Sequence, residues 1–210
     1  MRFMKRTSLA GLPLWLMALL LVVAACAPQE EASIAEEPAA APQEAASETA
    51  PQAIPMRANE ARPSPNASVS QTIGTTIVTI TYGRPGVKGR QVFGGLEAYG
   101  AVWRAGANEA TVFSVTDDVT INGEALPAGV YGFFAIPNEG DWTLIFNNQP
   151  DQWGAFDYDE GQDALRVTAT PEETGAVEWL AYYFGDLTGS SATAYLHWDT
   201  TRVPFTISTE

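Results

Sequence analysis

The chain has 210 residues, 46% of them hydrophobic, and a formal net charge of −14 at pH 7. Because a phosphate backbone binds basic surfaces, this acidic balance argues against nucleic acid as a partner. The single cysteine allows no internal disulfide, so a fold held together by disulfides is excluded.

Residues 1–25 have the pattern of an export signal. A basic start precedes an apolar stretch whose uncharged core is short for a stable membrane span. The stretch ends in Val-Ala-Ala directly before Cys26, which resembles the lipobox of bacterial lipoproteins. This predicts cleavage before Cys26 and lipidation of its thiol, which would anchor the chain to a membrane. An uncleaved anchor helix is the alternative, and Ala27 after the cysteine favours the outer membrane, with its periplasmic or surface face left open.

Residues 26–66 are predicted to form a flexible acidic tether. They are rich in Ala, Pro, Glu and Gln and have almost no large apolar side chains, so they cannot bury enough surface to offset the entropy of ordering. From residue 67 the chain becomes dense in β-branched and aromatic side chains. Residues 67–210 are therefore predicted to fold as a single domain.

Short apolar runs between turn signals predict an all-β domain, a largely antiparallel β-sandwich of jelly-roll type. The absence of alternating β and α patterns argues against a parallel sheet. Asn122-Gly123 predicts a two-residue hairpin turn, and Pro204 indicates an edge strand or a bulge. Strands are predicted near 68–73, 76–82, 110–116, 118–121, 124–126, 129–136, 141–147, 164–170, 176–184, 191–198 and 202–208.

The segment 83–108 has no clear secondary-structure pattern. Loops of this length inside a compact domain are uncommon and usually functional or disordered. Because this one contains Val92, Phe93 and Trp103, it is predicted to be an ordered loop packed on the sandwich.

This loop also carries most of the domain's positive charge. Residues 67–210 contain six basic side chains against eighteen acids, and four of the six lie in the loop. Glycines beside them let main-chain amides approach an anion, and arginine forks onto carboxylates or phosphates. The pattern predicts a surface for a small anionic or polar ligand; alternatively, the cations pair with the domain's own carboxylates. The predicted ligand-binding residues are Arg84, Lys88, Arg90, Trp103 as a flat wall, Arg104, Asn108, and Glu109 as the partner that holds Arg104.

The loop and its flanks resemble one bacterial family. The strings YGRPGVKGRQVFGGL (82–96), YGAVWRAGANEAT (99–111), LPAGVY (126–131), FAIP (134–137), WTLIFN (142–147) and VPFTI (203–207) carry the resemblance. They are similar to the family catalogued as domain of unknown function 2911, over nearly all of 67–210. Glu97-Ala98 stands where the family often has Val-Pro, and Ala105 replaces a frequent Thr. The resemblance implies an exported, often lipid-anchored β domain and brings no known activity.

Signals for catalysis and for cofactors are weak. His197, the only histidine, is interpreted as an ordinary strand residue, which argues against a nucleophilic triad and most zinc sites. No cofactor is predicted. Asp157, Asp159 and Asp163 are weak candidates for Ca²⁺, but they do not fit the EF-hand template and favour a solvated turn.

Two residues point weakly to a glycan. Glu109 is the candidate acid or base of a glycosidase, which would need a second carboxylate at a set separation. Trp153, in a turn-rich stretch, is the tryptophan expected to be exposed, where its face could stack on a sugar. The leading hypothesis is a non-enzymatic envelope lipoprotein that binds a small anionic or glycan ligand or a partner. The alternatives are a hydrolase of cell-envelope glycan and a purely structural envelope protein. The oligomeric state is left open.

Overall fold

The computed structural model describes residues 61–209, which form ten β-strands and one short 3-10 helix. The strands are β1 (Asn66–Ile73), β2 (Thr76–Gly83), β3 (Thr111–Val115), β4 (Val119–Ile121), β5 (Glu124–Leu126), β6 (Gly129–Ile136), β7 (Trp142–Asn147), β8 (Asp163–Ala169), β9 (Glu172–Gly185) and β10 (Ser191–Thr209). The predicted signal peptide, Cys26 and the tether as far as residue 60 lie outside the described residues. Within the described part, no helix is long and apolar enough to span a membrane.

The strands form two antiparallel sheets, which confirms the predicted all-β sandwich. One sheet has six strands in the order β1-β2-β3-β6-β7-β8, and the other has four in the order β5-β4-β10-β9. Alternation along β2 places Val78, Ile80 and Tyr82 in the core, as the period of two in the sequence predicts. The predicted Asn122-Gly123 turn joins β4 to β5, and both of its residues have positive φ.

An aromatic cluster fills the space between the sheets. Phe113, Phe133 and Phe146 come from the six-stranded sheet and Phe205 from β10 of the other. The rings of Phe133 and Phe205 stack with centroids 5.5 Å apart, and those of Phe113 and Phe146 meet edge to face at 5.0 Å. Full burial of each such ring stabilises the fold by roughly 1.5–3 kcal/mol. This cluster fixes the two sheets against each other.

The last two predicted strands are one continuous strand, β10. Its pairing with β9 shifts register on both sides of Asp199, which has a φ of 54°. Pro204 lies between the β9 ladder, which ends at Arg202, and the β4 ladder, which begins at Ile207. Its missing amide hydrogen therefore removes no ladder bond, and the bulge indicated by Pro204 is found five residues earlier.

The loop 83–108 is ordered and packed, as predicted. Val92, Phe93 and Trp103 are buried, and the main chain of Trp103 exchanges two hydrogen bonds of 2.8 Å with Ala135 in β6. The indole of Trp103 stacks on Trp198 with a centroid distance of 5.9 Å. These contacts fix the loop across one end of the sandwich core.

Candidate ligand-binding site

The first part of the loop is fastened to β9, the edge strand of the four-stranded sheet. The Arg84 Nε donates to the carbonyl oxygen of Leu180 at 2.8 Å. The Lys88 main-chain N–H donates to a carboxylate oxygen of Glu178 at 2.9 Å, and that of Val87 donates to the Glu178 carbonyl at 2.8 Å. Arg84 and the Lys88 main chain thus hold the loop against β9. The loop thereby covers an edge of the four-stranded sheet that would otherwise be open.

The charges of the remaining two cations of the loop, Arg90 and Arg104, act on the carboxyl group of Glu97. Arg90 donates to two carbonyl oxygens of its own loop, Gly86 at 2.7 Å and Val87 at 3.0 Å. Arg104 is half-buried, and its Nε has no hydrogen-bond partner within the described part of the chain. Burial raises the pKa of Glu97 to about 7, although the charges of Arg104 and Arg90 act in the opposite direction. Arg84 and Arg90 therefore hold main-chain carbonyl oxygens of β9 and of the loop itself, whereas a shared anion site for the four loop cations stays a prediction.

Trp103 is a core residue and not the surface wall that the sequence suggested. It is only 3% exposed, and its indole N–H donates to the Gly106 carbonyl at 3.2 Å. The reason is the pairing of its main chain with Ala135, which turns the ring inward toward Trp198. A ligand cannot reach this ring face.

Glu109 holds Arg62 and not Arg104, its predicted partner. The Arg62 Nη1 donates to both carboxylate oxygens of Glu109, at 2.7 and 2.9 Å, and both side chains are half-buried. The neighbouring Asn108 donates from Nδ2 to the Ser64 carbonyl at 3.0 Å. The folded part of the chain therefore begins before the predicted boundary at residues 66 and 67. Because Arg62 fell within the predicted tether, sequence reasoning did not consider it as a partner.

An open cleft of about 340 Å³ lies at this ion pair, and we call it the Trp153 cleft. It is lined by Arg62, Glu109, Asp151, Gln152, Trp153 and Asp157. Trp153 is 56% exposed, which confirms the exposure expected from its sequence context. Phe156, close by in the chain, is 82% exposed and was not singled out in the sequence.

Three chain segments position the Trp153 cleft. Glu109 pairs with Trp153 as an isolated β-bridge, and the N–H of Gly154 donates to the Asn108 carbonyl at 3.0 Å. The N–H of Ala110 donates to the carbonyl of Gln152, also at 3.0 Å. These bonds align the β7–β8 connection with the end of loop 83–108, while Arg62 closes the third side. The site therefore depends on residues that are distant in sequence.

The polar side chains of the cleft leave several acceptors without a donor. Gln152 is 9% exposed; its Nε2 donates to the Gln149 carbonyl at 2.7 Å, whereas its Oε1 has no partner among residues 61–209. Asp151 and Asp157 are exposed and make no side-chain hydrogen bond or ion pair with the described residues. A ligand in this cleft meets mainly acceptors.

The three aspartates considered for Ca²⁺ have different surroundings. Asp159 accepts the Gly161 N–H at the start of the 3-10 helix Glu160–Gln162. Asp163 accepts from Arg166 and Tyr158, both at 2.6 Å, and so already has donors on its carboxylate. Asp157 alone lines the Trp153 cleft. The part of the chain that the structure describes contains no group of three or more His, Cys, Asp or Glu residues arranged to hold a metal ion.

His197 lies in β10, as expected for a strand residue. It is buried on the side of the strand that carries Tyr195, and its Nε2 lies 3.1 Å from the Gly175 carbonyl oxygen. Its ring stands 6.3 Å from that of Tyr183. It does not line the Trp153 cleft, so it takes no part in the candidate site.

Comparison with known proteins identifies a protein family. Residues 64–207 match the model of a family whose description is "Protein of unknown function (DUF2911)". No curated protein and no solved structure matches the chain. The matched residues include the whole loop 83–108 and the three segments that form the Trp153 cleft, except Arg62.

Proposed function

The chain belongs to this family of proteins of unknown function, and on that premise we propose that it is a lipid-anchored envelope protein. Its β-sandwich binds a polar ligand, a glycan, in the Trp153 cleft without converting it. The lipobox-like residues before Cys26 support the anchor, and the tether supports a domain held away from the membrane.

One observation carries the binding proposal: a largely exposed tryptophan stands next to free carboxylates in an open cleft. An indole face gives the apolar side of a sugar ring a surface to cover, and hydroxyls around that ring need hydrogen-bond acceptors. Trp153 supplies the face, and the exposed carboxylates of Asp151 and Asp157 supply acceptors. Small-ligand sites combine an aromatic wall with a few convergent polar groups in this way.

The same cleft replaces the predicted basic surface as the binding site. Three carboxylates, those of Glu109, Asp151 and Asp157, face a single guanidinium, that of Arg62. An anion would meet net repulsion there, whereas a neutral or cationic ligand would not. Of the residues predicted from the sequence, Glu109 remains in the proposed site, and Asn108 supports it through Ser64.

The binding proposal is tested with a panel of soluble glycans by isothermal titration calorimetry. We expect at least one glycan to bind, and Trp153→Ala to weaken its binding at least about tenfold. Trp179→Ala is the matched control, because Trp179 is also exposed but lies on β9, outside the cleft. Equal affinities for the Trp153→Ala protein and the wild type would contradict the proposal.

The anchor is tested separately by fractionating the producing bacterium. We expect the wild-type protein in the outer-membrane fraction with acyl chains on Cys26. The Cys26→Ala protein should lack the acyl chains and should no longer be processed directly before residue 26. If the wild type is found unacylated and uncleaved, the uncleaved anchor helix is the correct description.

A hydrolase is the second candidate, because three carboxylates line the Trp153 cleft beside an exposed aromatic face. Against it, both oxygens of Glu109 accept hydrogen bonds from Arg62, so this carboxylate is already engaged within the protein. Turnover of a bound glycan that Glu109→Gln abolishes, with binding retained, would replace the binding proposal with this one.

A further inference from the structure

The charge of the Trp153 cleft restricts the ligand class further. Arg62 neutralises Glu109 at 2.7 Å, but Asp151 and Asp157 have no ionic partner among the described residues. Arg104 approaches the neighbouring Gly154, where its Nη1 is 3.8 Å from the position that a Cβ would take, but it does not line the cleft. The cleft therefore keeps an excess of negative charge, which an incoming cation would reduce.

The hydrogen-bonding groups that a ligand can reach in the cleft favour the same class of ligand. The exposed carboxylates of Asp151 and Asp157 accept hydrogen bonds and donate none. A ligand that itself presents only acceptors, such as a carboxylate or sulfate group, could form no hydrogen bond with these carboxylates.

Trp153 favours the same class of ligand. Its indole is 56% exposed beside these carboxylates, and an indole face attracts an ammonium group as well as the apolar side of a sugar ring. The volume of about 340 Å³ is near the lower end of the range of small-ligand sites, about 300–1,000 Å³, and suits a short stretch of sugar chain.

We propose that the Trp153 cleft selects sugars that carry a free, protonated amine, such as de-N-acetylated hexosamines, over their N-acetylated or anionic counterparts. This inference rests on the proposed glycan binding. A protonated amine brings three donors and one positive charge, so it pairs with the free carboxylates of Asp151 and Asp157 both as a hydrogen-bond donor and as a counter-ion. N-acetylation removes the charge and two of those donors and adds an acceptor.

The test is isothermal titration calorimetry on the lipidated full-length protein in detergent, at a mildly acidic pH at which glucosamine is protonated. The probes are a glucosamine tetramer, the N-acetylglucosamine tetramer and a tetragalacturonate. We expect the glucosamine tetramer to bind at least about tenfold more tightly than the other two at low ionic strength, and this ratio to fall as salt is added.

Charge variants separate the cleft from the general acidity of the chain. The double variant Asp151→Asn/Asp157→Asn should lower the preference for the amine toward unity. The control, Glu124→Gln/Glu139→Gln, removes the same charge from exposed residues outside the cleft and should keep the preference. Equal loss in both double variants would assign the preference to the net charge of the whole chain and overturn the inference.

Two further outcomes distinguish this inference from the proposed function. If the N-acetylated tetramer binds as tightly as the amine form and Trp153→Ala abolishes both, the amine preference is wrong but glycan binding in the cleft stands. If none of the probes and no other glycan of the panel binds, both proposals are overturned and the structural envelope protein is left as the description.

Discussion

Gly83 ends β2 where the main chain passes directly against the end of loop 83–108. A Cβ on this residue would lie 1.9 Å from the carbonyl oxygen of Ala107, and a main-chain atom cannot move aside as a flexible side chain does. We expect Gly83→Ala to lower the free energy of unfolding by roughly 3 kcal/mol or more, as measured by urea denaturation. Gly140→Ala is the control, because its Cβ would meet no atom within 4 Å. Wild-type stability of the Gly83→Ala protein would contradict this packing.

Glu97 makes the folding stability of the protein depend on pH. Burial raises its pKa from the ordinary value of 4.5 to about 7, against the opposing effect of Arg104 and Arg90. The folded chain therefore binds this proton more tightly than the unfolded chain does. The stability that the group contributes is complete below about pH 4.5 and is lost as the pH rises through 7.

We therefore expect melting temperatures between pH 4.5 and 8 to differ in slope between the wild type and Glu97→Gln. Because glutamine does not titrate, the variant should gain stability relative to the wild type as the pH rises across this interval. Parallel curves for the two proteins would indicate a solvated Glu97 with an unshifted pKa.

At the scale of single residues, the sequence predicts what depends on near neighbours and fails where a distant segment intervenes. The exposure of Trp153 follows from its turn-rich surroundings. The partner of Glu109 does not, because Arg62 lies 47 positions away. Ala105 and Asn108 both have positive φ, and they turn the chain between Arg104 and Glu109, so that these near neighbours in sequence do not pair.

At the scale of elements, the attachment of loop 83–108 to β9 is open to a direct test. Val87→Pro removes the N–H that donates to the Glu178 carbonyl. A second hydrogen bond of this attachment runs from the Leu180 N–H to the Pro85 carbonyl at 2.9 Å. We expect this bond to open more often in the variant, so that the Leu180 amide hydrogen exchanges faster with solvent. We expect a loss of about 1–3 kcal/mol in unfolding free energy and faster hydrogen exchange at Leu180. Val87→Ala keeps the N–H and controls for lost packing; slow exchange at Leu180 in the proline variant would contradict the attachment.

The long strands β9 and β10 show why element boundaries were harder to predict than element types. Polar residues near 172–175 and 199–201 interrupt the apolar pattern, so the sequence predicts a late start for β9 and a break in β10. In the structure Thr201 pairs with Glu173, and the next residue, Arg202, pairs with Glu172. Arg202 faces Glu172 and donates to its carboxylate at 2.6 Å. A pattern of hydrophobicity does not reveal a ladder built from such polar pairs.

At the scale of the whole molecule, the number and alternation of the strands predict a sandwich, but not its sheet order. The pairing of β10 with β4 joins segments about 86 positions apart, and no local signal encodes it. The candidate site has the same character. Its lining residues come from the chain before β1, from the end of loop 83–108 and from the β7–β8 connection. Only their convergence in the fold makes them one cleft.

The segment before β1 belongs to the fold, so we expect its removal to destabilise the domain. A chain that begins at Asn66 lacks Arg62 and the carbonyl acceptors of Ser64 and Pro65, which receive bonds from Asn108 and Arg84. It leaves a half-buried Glu109 without its cation. We expect it to unfold with a free energy about 2–3 kcal/mol below that of a chain that begins at Ala61.

Arg62→Ala in the chain that begins at Ala61 separates the ion pair from the two main-chain bonds, and it should account for about 1 kcal/mol of the difference. The shorter chain should also bind the glucosamine tetramer with altered affinity, because Arg62 forms one wall of the Trp153 cleft. Equal stability and equal affinity of the two chains, measured by urea denaturation and calorimetry, would mean instead that the connecting segment and the cleft are independent.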